Sequence, residues 1–355
     1  MQKNQKSSAT SSTDNLPRTP RRAVIDAICH RPVSPVPWSI KFTVEALARY
    51  RAYRGASFDP VADTGCHVVT AHTNHGWQPA GPERWRDYFG VVWDKSRDRT
   101  LGMALDPPLA AGNFAGYTFP EAAACPVYRE AEANALAWPD RFRMLSIGFS
   151  LFERAWSLVG MEQLMVLMHE DPPFVHELLD RINAWNLEVI RLAAPLKIDA
   201  VHFGDDWGSQ LGPLISPQQW QSFIAPRLRA LCDACHQQGL LVSLHCCGNV
   251  EVLMEEICAA GVDVFDPFQP EAMDLRTLRE RFRGRMAFWG GLSVQRTMPY
   301  GTPAEVEAET QALLRDLGAG GGYILSPAHS LSGDVPPENI DAFLRVAMGQ
   351  GNGLA

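Results

Sequence analysis

Residues 199–206, DAVHFGDD, and residues 240–247, LLVSLHCC, are short apolar runs that each finish in reactive side chains. Between them SPQQWQSFIAPRLRALCDACHQQG (216–239) keeps a helical period, opens with Ser216-Pro217 and ends at Gly239. A strand, a crossover helix and a second strand form the repeating unit of a parallel sheet, and Ser-Pro is a strong helix-start signal.

The same grammar continues in both directions. The apolar runs RMLSIGF (143–149), VDVFDPF (262–268), RMAFWGG (285–291) and GGYILSPAH (321–329) alternate with helical stretches at 174–196, 249–261, 275–282 and 302–318, the last opening with Thr302-Pro303. Repetition of this unit over some 200 residues predicts an α/β fold, a (β/α)8 TIM barrel, with PVPWSI (35–40) as its first strand. An open doubly wound sheet is the competitor, but no glycine-rich dinucleotide fingerprint follows any of the runs. Residues 55–140 are rich in Gly, Pro, Trp and Asp and are expected to form an irregular excursion after the first strand, covering one end of the barrel. The barrel domain is expected over 21–347, with a disordered tail at 1–20, rich in Ser, Thr, Asn and Lys, and a flexible C-terminus at 348–355.

A formal net charge of -8, spread along the chain, offers no basic face to nucleic acid. No apolar run reaches the roughly 20 residues that span a bilayer, so a soluble protein without a membrane partner is expected. The eight cysteines are expected to be reduced thiols or ligands in a cytoplasmic protein, since no apolar export signal follows Arg21-Arg22.

Barrel active sites form at the carboxyl ends of the strands, which makes the residues that close each run the candidates. Alternation along a strand turns His245 and Cys247 to one face and Cys246 to the other. Imidazole and thiolate together suit zinc, and a catalytic zinc keeps three protein ligands and one open position. His329, from the last run, is the obvious third ligand, with Asp205 or Asp206 as alternatives. Asp205 and Asp206 are candidates for orienting a substrate or stabilising developing positive charge; one of the two is expected to face the mouth. Trp207, Gln269 and Trp289 are expected to contact a small-molecule substrate, and Lys41 to meet an anionic group. Cys232, Cys235 and His236 spell the haem-attachment pattern C-x-x-C-H, but inside a helical period they are expected to serve helix packing and surface thiols. His67, His72 and His75 are assigned no metal.

HFGDDWGSQLGPLISPQQWQSFIAPRLRAL, HCCGNV, FDPFQPEAMD, FWGGLSVQRTMPYGTPAEVE and GGYILSPAHSLSGDVPPENI, in this order, resemble the uroporphyrinogen decarboxylase superfamily over roughly residues 22–347. The resemblance implies a barrel enzyme of one of two chemistries. One is cofactor-free decarboxylation of a tetrapyrrole. The other is zinc-dependent methyl transfer between a corrinoid and a thiol.

The decarboxylases bind their polycarboxylate substrate with an arginine-rich segment after the first strand, where this chain reads WSIKFTVEALARY with Lys41 and no paired arginines. One lysine poorly replaces bidentate guanidinium recognition, which argues against uroporphyrinogen as the substrate. The methyltransferases resemble this chain at H-x-C, matched by His245 and Cys247, while their third ligand, a cysteine after the last strand, is here replaced by His329. The resemblance therefore implies a zinc-dependent methyltransferase or demethylase-like enzyme whose methyl donor is a corrinoid on a partner protein. A decarboxylase of a tetrapyrrole or smaller aromatic acid is the alternative, and a tetrapyrrole- or corrinoid-binding barrel without catalysis is a third reading.

Overall fold

The computed structural model of the chain describes residues 19–350, so the tail to residue 18 and residues 351–355 lie outside the description. The main sheet contains β1 (Val68–His72). A separate antiparallel sheet follows, made of β2 (Gln78–Gly81), β3 (Arg84–Arg86), β4 (Val92–Asp94) and β5 (Met103–Leu105). The main sheet then resumes with β6 (Phe142–Ile147), β7 (Ala200–Gly204), β8 (Leu241–His245), β9 (Val264–Phe268), β10 (Ala287–Leu292) and β11 (Tyr323–Pro327).

All neighbouring strands of the main sheet pair in parallel and in chain order. Residues of β6, β9, β10 and β11 are buried throughout, as expected when helices cover one face and a packed interior fills the other. The intervening helices begin where the sequence marks them. Ser216 and Thr302 each form a reciprocal capping box, with Gln219 and Glu305 respectively.

The expected strand at 35–40 is replaced by a bridging segment. Leu325 N–H donates to Pro37 O at 2.9 Å and Ser39 N–H to Leu325 O at 3.0 Å on one side. On the other, His67 N–H donates to Trp38 O at 3.2 Å and Trp38 N–H to His67 Nδ1 at 2.9 Å. The segment thus links edge strand β11 to the residue before edge strand β1 while pairing only through isolated bridges. Pro35 and Pro37 carry no N–H for a regular ladder, which accounts for the difference.

The excursion drawn at 55–140 is also narrower in the structure. It contains β1, which pairs with β6, and the helix Val127–Ala137, leaving the β2–β5 sheet and its connections as the irregular part. At the far end the helix Pro337–Gly349 runs past residue 348, and Gln350 Oε1 accepts the Val36 N–H at 2.9 Å, so residues 348–350 of the expected flexible 348–355 are held, and the others lie outside the described residues.

Ala23, Val24, Ala27 and Ile28 of the helix Pro20–Ile28 pack with Val68, Phe142, Ala200, Val264 and Ala287, all at or near the starts of their strands. This plug closes the amino ends of the strands. The carboxyl ends remain open, and the reactive side chains gather there. Among the described residues no helix is long and apolar enough to cross a membrane.

Candidate active site

β8 delivers His245 as its last residue, and the chain turns at Gly248, whose φ of 83° lies in the left-handed region. A Cβ there would fall 2.6 Å from the Gly208 carbonyl carbon and 2.6 Å from Ser209 O, so only glycine fits. The turn folds Cys247 back on His245, with Sγ 3.3 Å from Nε2. His329, two residues beyond β11, places its ring centroid 5.4 Å from that of His245. One ligand atom from each of His245, Cys247 and His329 lies within 4.8 Å of the other two. Cys246 points the other way, fully buried, where its sulfur accepts the Trp207 N–H at 3.2 Å.

Beneath His245 is a second set of charges. Asp266 Oδ2 lies 3.3 Å from His245 Nδ1, 3.1 Å from Lys41 Nζ and 3.9 Å from His202 Nε2. Burial alone pushes the Asp266 pKa up, but the Lys41 ammonium and the hydrogen bond to His245 outweigh it and hold the carboxyl well below its usual range. Burial likewise disfavours charge on His245, yet the Cys247 sulfur and Asp266 lift its pKa well above the ordinary imidazole value. Burial raises the Cys247 thiol and lowers His329.

The two adjacent carboxylates are separated by function. Asp206 is the one at the rim: its side chain is 36% exposed, Oδ1 accepts the Cys247 N–H at 2.7 Å and stands 3.8 Å from His245 Nε2. Asp205 is corrected to a structural role. It is fully buried, and Oδ1 accepts the N–H groups of Leu151 at 3.2 Å and Glu153 at 2.8 Å, while Oδ2 accepts those of Phe152 at 3.0 Å and the Trp207 indole at 2.6 Å. It caps the helix Phe152–Val159 and has no lone pair left for a substrate.

The aromatic assignments are corrected too. Trp207 is fully buried against Trp220, and Trp289 is fully buried with its indole N–H on Ser39 Oγ at 2.9 Å. Neither wall of the cleft is a tryptophan face. Lys41 Nζ sits 4.6 Å above the Trp289 ring and pairs with Asp266, so its charge is already matched inside the protein rather than offered to an anion. Gln269 accepts the Gly248 N–H at 2.6 Å and does line the cleft.

That cleft has a volume of about 660 Å³ and reaches Cys247, Gly248, Gln269 and His329 from the loops around Thr43, Arg97 and Ser209. Below it a cavity of about 30 Å³ touches Lys41, His245, Asp266, Ser326 and His329.

Three residues of this neighbourhood lie outside the sequence-derived set: Asp266 as a histidine partner, His202 and Glu153. Asp266 lies in the middle of β9 in register with His245, and His202 shares the parity of Asp206, so alternation carried a signal for both. Glu153 comes from a helix start and had none; burial, with Asp206 and Asp205 nearby, raises its pKa well above the usual carboxyl value. Cys232 and Cys235 are fully buried on the helix Ala225–Gln237, which agrees with helix packing and corrects only the surface-thiol part of that reading, and His236 Nε2 meets Asp263 at 2.9 Å. The rings of His72 and His75 lie 5.1 Å apart at a tilt of 53° beside Glu130, away from the cleft lining.

A curled parallel α/β sheet with reactive side chains collected at its carboxyl ends defines the scaffold of a barrel-type enzyme. The chain belongs to the uroporphyrinogen decarboxylase (URO-D) family, whose model matches residues 122–349. The uroporphyrinogen decarboxylase of Tolumonas auensis is 25% identical over 182 residues, 50% of this chain and 49% of that one. The enzyme of the same name from Citrobacter koseri is 27% identical over 188 residues, again 50% and 49%. The chain thus spans about half the length of the curated relatives it matches. Among solved structures, a methyltransferase from Methanosarcina mazei superposes with a TM-score of 0.75 at 16% identity, covering 95% of this chain and 100% of that one. The fold is therefore shared across nearly the whole chain.

Proposed function

We propose that this chain is a zinc-dependent methyltransferase or demethylase-like enzyme, moving a methyl group between a corrinoid or methylated small molecule and a small-molecule acceptor. The observation that carries this reading is the convergence of His245, Cys247 and His329, with ligand atoms within 4.8 Å of one another; Cys247 and His329 line the cleft, and His245 and His329 line the small cavity beside it. The donor set fits the metal: two nitrogens and a sulfur suit zinc, and tetrahedral ligation places N and S about 3.5 Å apart, close to the 3.3 Å between His245 Nε2 and Cys247 Sγ. Zinc in this position supplies Lewis acidity that lowers the pKa of a thiol or other heteroatom in its open position.

The chain's own residues do the rest. Asp266 accepts from His245 Nδ1, which fixes the tautomer and leaves Nε2 directed at Cys247 and the cleft. Lys41 balances the Asp266 charge from the opposite side. Asp206, partly exposed and 3.8 Å from His245 Nε2, is the base proposed to take the proton the acceptor gives up as its bond to the methyl carbon forms and the donor's bond to that carbon breaks. Gln269 holds the Gly248 turn, and the cleft admits the acceptor. The expected donor is a corrinoid on a separate protein; the Methanosarcina mazei protein that shares the fold is named a methyltransferase, which favours methyl transfer as the reaction but does not bear on the donor.

The test is the metal content of protein purified without an affinity tag. About one equivalent of zinc, lost in His245→Ala, is expected; less than about a tenth of an equivalent, unchanged by the substitution, contradicts the proposal. A second reading, decarboxylation without a metal, draws on the match to the URO-D family and on the rim position of Asp206. It requires carbon dioxide release that survives complete chelation.

A further inference from the structure

His245 belongs to two sets of ligand atoms. With Cys247 and His329 it forms the set described above; with His202 and Asp266 it forms another, whose three ligand atoms also lie within 4.8 Å of one another. Two imidazoles and a carboxylate are a good donor set for a divalent first-row metal ion. His202 and Asp266 are both buried, and His202 Nδ1 shares a hydrogen bond with Ser243 Oγ at 2.8 Å, which holds the ring with Nε2 3.9 Å from Asp266 Oδ2. His245 Nδ1 is 3.3 Å from the same oxygen. Burial, and after it the charge of Lys41, holds the His202 pKa well below the ordinary imidazole value, so the ring is neutral and has a lone pair to give. The cavity of about 30 Å³ that touches Lys41, His245 and Asp266 has the size of a single water molecule.

Lys41 makes the two sets unequal. Its Nζ stands 3.1 Å from Asp266 Oδ2, so the carboxylate of the buried set already holds a cation, tethered to the chain just after the bridging segment. A divalent ion bonded to that oxygen at about 2 Å would stand within about 5 Å of the ammonium, and in a buried site repulsion between a double and a single positive charge is strong. The Cys247 set has a carboxylate beside it instead, with Asp206 Oδ1 3.8 Å from His245 Nε2. We infer that Lys41 is the residue that decides metal placement: its ammonium takes the cation position of His202, His245 and Asp266, keeps a metal ion out of that buried set and leaves it to the set that opens on the cleft. Asp266 then stays free to accept from His245 Nδ1. The inference rests on the zinc reading for the set that remains, while the exclusion is a property of Lys41 itself.

The probe is cobalt(II), which stands in for zinc and whose visible absorption reports its ligands. The double variant C247A/H329A removes the first set and leaves the buried one. With Lys41 in place it is expected to retain less than about a tenth of an equivalent of cobalt after dialysis. Adding K41M should raise this at least about tenfold, to about one equivalent without a sulfur-to-cobalt band; adding H202A should abolish the gain, and K41R, which keeps the charge, should not produce it. Thermal melting accompanies each measurement, and K41M in this background should melt higher with cobalt than without. Cobalt held by C247A/H329A with Lys41 present, and lost in H202A, overturns the inference. So does a K41M protein that holds no cobalt, or one that stays unfolded with cobalt as without it. Failure of the zinc reading is seen separately, in the metal content of the wild type, and leaves these outcomes unchanged.

Discussion

Asp205→Ala separates a structural carboxylate from a catalytic one. The side chain is fully buried and accepts from Leu151 N, Glu153 N, Phe152 N and Trp207 Nε1 at 2.6 to 3.2 Å. Truncation leaves four donors without an acceptor in a dry environment. At about 1 kcal/mol for each stranded donor the loss is about 4 kcal/mol. For a chain of this size that corresponds to a fall in melting temperature of about 5 °C. Asp205→Asn keeps Oδ1 for Leu151 and Glu153 but turns an amide N–H2 toward Phe152 and the indole, so roughly half the loss, about 2 kcal/mol, is expected. Thermal unfolding of both variants measures this, with zinc content read alongside. Asp205→Ala should unfold early yet bind zinc as the wild type does below its transition. A loss under about 1 kcal/mol, or a variant of full stability that has lost activity, would refute the assignment of Asp205 as a cap.

Three further outcomes follow from the same geometry. Asp266→Asn removes the charge that fixes His245, and zinc affinity measured by competition with a chelator should fall about 10- to 100-fold with the fold intact. Gly248→Ala should destabilise the turn and spread Cys247 from His245, lowering both melting temperature and zinc occupancy, because the added Cβ has backbone atoms at 2.6 Å. His67 supplies the acid-labile link of the closing segment: burial depresses its pKa to about 4, and its Nδ1 must stay unprotonated to accept Trp38 N–H. Its folded pKa lies below the unfolded value of about 6.5, so the unfolded state takes up the proton first; stability is full above that pH and falls by about 3 kcal/mol as pH drops toward 4. His67→Asn, whose Oδ1 replaces Nδ1, should show a shallower loss over that window by denaturant titration; an unchanged pH dependence would contradict this.

The fold was legible in the sequence wherever a short apolar run met a capped helix. Ser216 and Thr302 mark their helices unambiguously, and six of the runs are strands of one parallel sheet. Legibility failed where a strand lacks that punctuation. Val68–His72 is followed by turns and an antiparallel sheet instead of a helix, so it disappears into a Gly- and Pro-rich stretch. PVPWSI has the hydrophobicity of a strand, but its prolines remove the donors a ladder needs.

Within the site, side-chain parity grouped His245 with Cys247 and set Cys246 apart, although the turn at Gly248 is what carries Cys247 back; it did not tell which of Asp205 and Asp206 faces the mouth. It gave no guidance at Asp205, whose fate is set by the helix start at Phe152, more than 50 positions away in the chain. Trp207 and Trp289 were misplaced for the same reason: a tryptophan at a strand end packs equally well into a core or along a cleft, and only the partners Trp220 and Ser39 decide. The Asp266 network joins Lys41, His202 and His245, three separate segments that only the curled sheet and its bridging segment bring together.

X-ray absorption at the zinc edge tests the central proposal most directly, because it reads the ligand atoms themselves. The three residues predict one sulfur at about 2.3 Å and two nitrogens at about 2.0 Å, with the sulfur shell lost in Cys247→Ser and one nitrogen lost in His329→Ala. A zinc shell of oxygen and nitrogen alone, unaltered by either substitution, would contradict it.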